Sequence, residues 1–393
     1  MVDPIVILGS VRTPMGGFQG AFATLNAVDL GAVAVAAAVE RTGVSSDLIE
    51  RITMGCVLPA GLGQAPARQA ALKAGLPQSV EATTINKMCG SGMQAVIMAA
   101  EALAAGSARI VVAGGMESMT GAPFLLPKHR GGARIGHDRV IDSMMMDGLE
   151  DAYDCGKPMG AFAEDSARTY GLTRAAQDGY ALESLARAQA AIEEGAFTGE
   201  IAAVPVTGRG GTVLVDHDEQ PGKARPDKIP GLRPAFAADG TITAASSASI
   251  SDGAAALVLA RLGVAEAEGL APQARIVATA AHAHAPALFT TAPVFAMRKV
   301  LERAGWSVTD VDLFEVNEAF AAVAMIAMHD LNIPRERMNV NGGATALGHP
   351  IGASGARIIV TLVAALRARG LRRGVAALCI GGGEATAIAI EII

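Results

Sequence analysis

The chain has 393 residues, of which 51% are apolar, 18% charged and 4% aromatic, with a formal net charge of −6. That length implies two or three domains with large cores, and the acidic balance excludes a general nucleic-acid binder, which needs a basic footprint. No uninterrupted apolar run reaches membrane-spanning length. Met1-Val2-Asp3-Pro4 lacks the basic and apolar regions of a secretion signal, and Glu391-Ile392-Ile393 is not a peroxisomal address.

In chain order, Pro4 to Gly9 reads as a buried strand, because its apolar run is continuous. Arg12 to Gly20 is a Gly-rich loop. Asn26 caps a helix that carries Asp29 in its first turn and ends at Gly43. A strand follows at Ile52 to Val57, then a loop at Pro59 to Gly63 and a helix at about Ala65 to Ala74. Glu81 to Ile85 is β-like, and an Ala-rich helix runs from Met93 to Ala105. Arg109 to Ala113 is another strand, closed by Gly114-Gly115. This alternation predicts a mostly parallel, layered α/β unit.

After Gly121 the composition changes. The segment to about Pro234 is loop-rich, with basic clusters at Lys128, Arg130, Arg134 and Arg139, then Lys223, Arg225, Lys228 and Arg233. These are solvated surface or a local positive field for a phosphate-bearing ligand. One clear helix inside it is capped by Thr173 and reaches about Glu194. From Ala271 the α/β pattern returns. It gives strand Arg275 to Thr279, helix Pro293 to Ala304, strand Leu313 to Val316 and a helix from about Glu318. A Gly-rich loop spans Asn341 to Gly355, followed by helix Ala356 to Arg369 and strands at Val375 to Ile380 and Ala385 to Ile393.

Two stretches resemble each other. Glu40-Arg41-Thr42-Gly43-Val44-Ser45 matches Glu302-Arg303-Ala304-Gly305-Trp306-Ser307 at an offset of 262. Gly90-Ser91-Gly92, with its helix, strand and Gly114-Gly115, parallels Ala353-Ser354-Gly355, with its helix, strand and Gly381-Gly382. Shared order at nearly constant offset indicates an internal duplication.

Cys89 stands at a strand-to-helix junction, where free amides and the helix dipole favour a negative charge. A thiol there is expected to have a lowered pKa; the competing reading is a small buried hydrophobe. If the halves pack as pseudo-twins, the loop matching that of Cys89 brings His349, and Cys379-Ile380-Gly381-Gly382-Gly383 brings a second thiol. A Cys beside a His is the pair expected for an activated thiolate. A second Cys can carry a proton, and glycine amides can stabilise an oxyanion. The four cysteines, Cys56, Cys89, Cys155 and Cys379, show no Cys-x-x-Cys spacing. That argues against a disulfide framework or zinc site and suits a reducing, cytoplasmic setting.

Asn86-Lys87-Met88-Cys89-Gly90-Ser91-Gly92, Gly114-Gly115-Met116-Glu117-Ser118-Met119, Asn317-Glu318-Ala319-Phe320, Gly348-His349-Pro350-Ile351-Gly352-Ala353-Ser354-Gly355 and Cys379-Ile380-Gly381-Gly382-Gly383 resemble the motifs of the thiolases, in the family's order and over essentially the whole chain. The resemblance is closest to the biosynthetic acetyl-CoA acetyltransferases. It implies the α/β thiolase fold, with duplicated βαβαβαββ halves in a five-layered αβαβα core. The N-terminal half would be 1-120, completed by about 240-270. A loop domain at 121-239 would serve coenzyme A binding and tetramerisation, and the C-terminal half would be 271-393.

The resemblance also implies roles. Cys89 would take the acetyl group as a thioester and His349 would draw off its proton. Cys379 would remove the α-proton of the second acetyl-CoA. Asn317 would hold a water that forms one oxyanion hole with His349, and the amides of Cys89 and Gly381 would form the other. Leu149, Met159, Phe236, Ala248, Ser249, Phe289, Ala319 and Phe320 fall at or near family contacts to the pantetheine arm and acyl group. The substrates and products would be acetyl-CoA, acetoacetyl-CoA and coenzyme A, with no permanently bound cofactor, no metal, no nucleic acid and no membrane. Arg130 to Asp147 resembles the loop through which such enzymes form homotetramers. A degradative 3-ketoacyl-CoA thiolase acting on longer chains is the alternative. Cys56, Cys155, His282 and His284 receive no role.

Overall fold

The computed structural model describes residues 3–393. Met1 and Val2, which belong to the N-terminal stretch read against secretion, lie outside them. The first half contains β1 (Ile5–Arg12), α1 (Ala27–Thr42), β2 (Arg51–Gly55), α2 (Pro66–Lys73), β3 (Glu81–Ile85), α3 (Ser91–Ala104) and β4 (Ile110–Ser118). Helices α4 (Met159–Thr169) and α5 (Arg174–Glu193) follow in the loop-rich segment. The chain then returns through β5 (Ser251–Arg261), β6 (Ala274–Ala283), α6 (Ala292–Ala304), β7 (Leu313–Val316), α7 (Ala321–Leu331), α8 (Ile351–Ala368), β8 (Arg373–Ile380) and β9 (Glu384–Ile392).

Helix ends obey local chemistry. The Asn26 side chain accepts from the Asp29 amide at 3.0 Å, and the Asp29 carboxylate accepts from the Asn26 amide at 3.0 Å. This reciprocal box satisfies two orphan donors of α1. Gly43 and Gly305 end α1 and α6 in the left-handed region, at φ 69° and 67°. The same terminator therefore stands at the matched position of each half, as a duplication requires.

The strands run in the order β7-β8-β9-β6-β1-β5-β4-β2-β3. Its centre is a short antiparallel pairing of β1 with β6 at Ile5, Val6 and Ile7. On one side lie β1, β5, β4, β2 and β3; on the other β6, β9, β8 and β7. The second half lacks a full counterpart of β3, but Met338 makes a single parallel bridge to Phe314 at the matching place. The sheet is mixed rather than mostly parallel. β2 pairs parallel with β3 and β4, and β7 with β8. β5 lies antiparallel between β1 and β4, and β9 antiparallel between β6 and β8. Alternation of strands and helices revealed the parallel part. The pairs made by β5 and β9 come from the end of each repeat, where no helix announces the strand direction.

Three cores separate five layers. Leu30 and Val35 of α1 pack on Val6, Met54 and Val112. Val96 and Leu103 of α3 meet Ile359 and Leu362 of α8, between Val111 and Leu257 on one side and Ile388 on the other. Met297 of α6 and Ile326 of α7 cover Val316, Val375 and Ala387. Neighbours Val111 and Val112 thus serve different cores, because successive side chains leave opposite faces of a strand. Strands covered on both faces need apolar residues throughout, which is why they read as unbroken runs.

Helix α8 is long and apolar enough to cross a membrane, with mean hydropathy 1.5, yet it is the buried middle layer of this protein. It also begins earlier than Ala356. Gly352 and Gly355, taken for loop, lie in its first turns, and Gly355 stands where it crosses α3. A Cβ on Gly92 would stand 2.7 Å from the Ala356 nitrogen, and one on Gly355 would stand 2.4 Å from the Met93 nitrogen. Backbone meets backbone there, so no side chain fits. Two further boundaries differ from expectation. Gly114 and Gly115 do not close their strand, since β4 continues to Ser118. A Cβ on Gly115 would stand 2.0 Å from the Gly352 oxygen, so close packing explains that glycine. Helix α7 begins at Ala321 because Asn317 to Ala319 are not helical and Phe320 is extended, with φ −139° and ψ 149°.

Candidate active site

The strand-to-helix junctions of both halves open into one cavity of about 810 Å³. Cys89 reaches it from the loop between β3 and α3. His349 reaches it from the residues leading into α8, and Cys379 and Gly381 from the end of β8 and the turn after it. Leu149, Met159, Phe236, Ala248, Phe289, Ala319 and Phe320 line the same space. Ser249 and Asn317 do not. Ser249 turns its carbonyl to the His349 amide at 3.1 Å. Asn317 is buried behind His349, with its Nδ2 3.4 Å from both ring nitrogens. An equal distance to both places the amide astride the ring rather than along either lone pair.

The Cys89 loop is held by its own polar groups. Asn86 Oδ1 accepts from the Met88 amide at 2.9 Å, and Met88 takes φ 47°. The Gly90 and Ser91 amides donate to the Lys87 and Met88 carbonyls, each at 3.0 Å. Lys87 pairs with Glu384 of β9, tying the loop to the other half. Gly90 lets the two thiol loops touch, since a Cβ there would stand 2.3 Å from Ile380 Cδ1.

The expected lowering of the Cys89 pKa does not hold. Burial pushes it up to about 11, while the amides of Gly381 and of Cys89 itself pull it down and the Glu117 carboxyl adds to the rise. The Gly90 and Ser91 amides are already spent on the turn, so the helix start offers the thiol little. Burial raises Cys379 well above its ordinary value, and nearby Cys89 adds to the effect. His349 goes the other way, down to about 3, first through burial and then through the Arg357 guanidinium. At rest the cavity thus holds two thiols and a neutral imidazole.

The apolar end is an aromatic wall. Phe320 meets Phe236 edge to face at 5.8 Å and lies 6.2 Å from Phe289. Gly160 makes room for Phe236, whose ring carbons would stand 2.4 Å from a Cβ there. The eight clustered basic residues of the loop-rich segment do not line the cavity. His282 stacks on Phe295 at 4.7 Å and His284 meets the same ring edge to face at 5.7 Å.

Several supporting residues escaped sequence reasoning. Glu117 is fully buried and accepts from the amides of Val57, Leu58 and Gly352 at 2.8–3.1 Å. It joins the loop after β2 to the start of α8, and burial lifts its pKa to about 7. Glu318 accepts from Tyr180 and Ser184 of α5 at 2.8 Å and from Asn339 at 2.8 Å. It anchors the loop-rich segment to the strand end that carries Asn317. A charged residue inside an apolar run was the available signal for both.

The comparisons with known proteins agree with this geometry. The profile "Thiolase, N-terminal domain" matches residues 5–262, and "Thiolase, C-terminal domain" matches 270–392. The chain is 48% identical to a probable acetyl-CoA acetyltransferase of Escherichia coli, covering 98% of each chain. It is 49% identical to acetyl-CoA acetyltransferase 2 of Arabidopsis thaliana, over 99% of this chain and 97% of that one. Its fold superposes on the Acat5 thiolase of Ascaris suum, solved in complex with coenzyme A. The TM-score is 0.94 at 44% identity, covering 99% of this chain and 100% of that one. The acetyl-CoA acetyltransferase of Bacillus anthracis gives 0.97 at 39% identity, covering 100% and 99%. Two duplicated halves that meet over one Cys–His–Cys cavity, matched end to end by these profiles and relatives, make the chain a member of the thiolase family.

Proposed function

We propose that this acyltransferase joins two acetyl-CoA molecules into acetoacetyl-CoA and coenzyme A, reversibly, through an acetyl-Cys89 intermediate. The observation that carries this reading is the convergence of Cys89, His349, Cys379 and Gly381 on one cavity. Cys89 Sγ attacks the thioester carbonyl as His349 draws off the thiol proton. The carbon–sulfur bond to coenzyme A breaks, and its thiolate leaves with the Cys379 proton, while His349 keeps the Cys89 proton. Cys379, now a thiolate, then removes an α-proton from the second acetyl-CoA. The carbanion attacks the acetyl carbonyl on Cys89, and the Cys89 thiolate departs as acetoacetyl-CoA forms and recovers its proton from His349. The weakly acidic α-proton demands a site that stabilises the enolate oxygen. Asn317, astride the His349 ring, suits the water-holding role. The Cys89 and Gly381 amides suit the second oxyanion hole. Covalent catalysis splits one hard condensation into two easier steps.

Leu149, Met159, Phe236, Ala248, Phe289, Ala319 and Phe320 are the proposed walls for the pantetheine arm and acyl group; Ser249 acts through its carbonyl on the His349 loop. The names of the relatives and the aromatic closure of the cavity favour a short acyl group over the degradative, longer-chain alternative. Thiolysis of 3-ketoacyl-CoA substrates of increasing length tests this directly. Acetoacetyl-CoA should be the best substrate, and equal or higher rates on long chains would overturn the assignment. A homotetramer built through the loop around Arg130 to Asp147 is proposed on the resemblance of that loop. A cytoplasmic setting is proposed on the four free, widely spaced thiols. Sedimentation and fractionation check these two.

A further inference from the structure

His349 needs a lone pair on one ring nitrogen to take the Cys89 proton, and the resting structure says which nitrogen holds it. Ser354 lies in the first turns of α8 and is fully buried. Its Oγ stands 2.6 Å from His349 Nδ1 and 2.9 Å from the Pro350 carbonyl oxygen. A serine hydroxyl has one hydrogen to donate. The carbonyl can only accept, and two oxygens 2.9 Å apart with no proton between them would set lone pair against lone pair. The carbonyl also takes the Ala353 and Ser354 amides, each at 2.9 Å, but the hydroxyl-to-carbonyl bond one turn back is the ordinary habit of a helical serine. The hydroxyl hydrogen therefore goes to Pro350. The 2.6 Å contact then needs a proton from the imidazole.

We propose that the Ser354 hydroxyl is a positioning group that keeps the His349 proton on Nδ1, so that Nε2 presents its lone pair to the cavity. Partner choice at one ring nitrogen decides the role of the other. The inference rests on the thiolase reading of His349 as the base for Cys89. It adds the residue that makes that base competent without a carboxylate partner. Among the described residues no carboxylate hydrogen-bonds to the ring. The charged and titratable groups around it are Arg357 of α8, Cys89 and Cys379 across the cavity, and Glu117, which holds the Gly352 amide.

The first test needs no variant at the serine. Nitrogen-15 NMR of the unliganded protein with labelled histidines, assigned with His349→Gln, reads the tautomer of one among seven histidines. A protonated Nδ1 and bare Nε2 are expected; a protonated Nε2 overturns the proposal. The second test compares Ser354→Ala with Ser354→Thr, which keeps the hydroxyl. Cys89 alkylation by iodoacetamide and the thiolysis kcat should fall about 10–100-fold in the alanine variant, the usual cost of losing a partner that orients a histidine. KM should hardly change, and threonine should recover most of the rate. Alanine kinetics equal to those of the unsubstituted enzyme, while His349→Ala is slow, would sink the Ser354 role and spare the base assignment. Normal alkylation in His349→Ala would sink the base assignment itself.

Discussion

Cys89 and His349 come from corresponding strand-to-helix junctions of the two halves. Each stands two residues before a helix of the middle layer, α3 for Cys89 and α8 for His349. The surroundings treat them oppositely. Burial favours the neutral form of each, so the thiol is pushed up to about 11 and the imidazole down to about 3. The Arg357 charge adds to the shift of the imidazole. For the thiol, the amides of Gly381 and of Cys89 work against burial and lose. One duplicated scaffold thus yields an acid and a base, both uncharged at rest, because the groups differ while the desolvation is shared.

That contrast can be broken most directly at the nucleophile. Cys89→Ala should lower condensation by roughly 10⁴-fold or more and leave no acetyl label on the protein after incubation with radiolabelled acetyl-CoA, whereas His349→Ala should cost about 10²–10⁴-fold, the usual range for a general base. Label retained in the cysteine variant would move the nucleophile elsewhere. The next effect concerns the tie between the halves. Glu117→Gln turns a donor towards an array of amide donors, so urea unfolding should show a loss of about 1–3 kcal/mol. An unchanged midpoint would mean that the clamp on α8 contributes nothing.

Two pH experiments sharpen the comparison further. The rate of Cys89 alkylation should keep climbing above about pH 8 and bend near 11, with no step near the ordinary imidazole pKa of 6.5 from His349. A plateau by about pH 8 would mean that the amides, not burial, dominate the thiol. The smallest effect is on stability. His349 has its pKa depressed from 6.5 to about 3, so the unfolded chain binds the extra proton between those values and stability falls as pH drops through that window. Glu117 is raised from 4.5 to about 7, so its contribution is full at low pH and is lost as pH rises through 7. The melting temperature of His349→Asn should therefore depend less on acid than that of the parent. Equal slopes would show that the imidazole is not desolvated as described.

Much of the scaffold was legible from residues. The Asn26 cap, Gly43 and its twin Gly305, and the unbroken apolar strands each carry local chemistry that acts before the chain folds. The convergence expected of Cys89, His349 and Cys379 was legible too, since all three line one cavity. Where reading failed, a distant partner had overruled a local rule. The Gly352–Gly355 stretch looked like loop because of its glycines, but Gly355 stands at the backbone crossing with α3 and Gly352 packs on Met116 and Glu117. Asn317 and Ser249 look like cavity contacts by position, yet they stand behind and beneath His349.

The sequence alone determined which chemical groups this protein owns and in what order its duplicated elements would form, because capping, strand pattern and repeat are short-range properties. Only the tertiary structure decided how those groups behave. The protonation of Cys89 and His349 and the amide clamp of Glu117 depend on desolvation and on partners brought from far along the chain, and the contact of Ser354 with the ring depends on how α8 starts. Those free energies are absent from any local stretch and arise when the two halves close on each other.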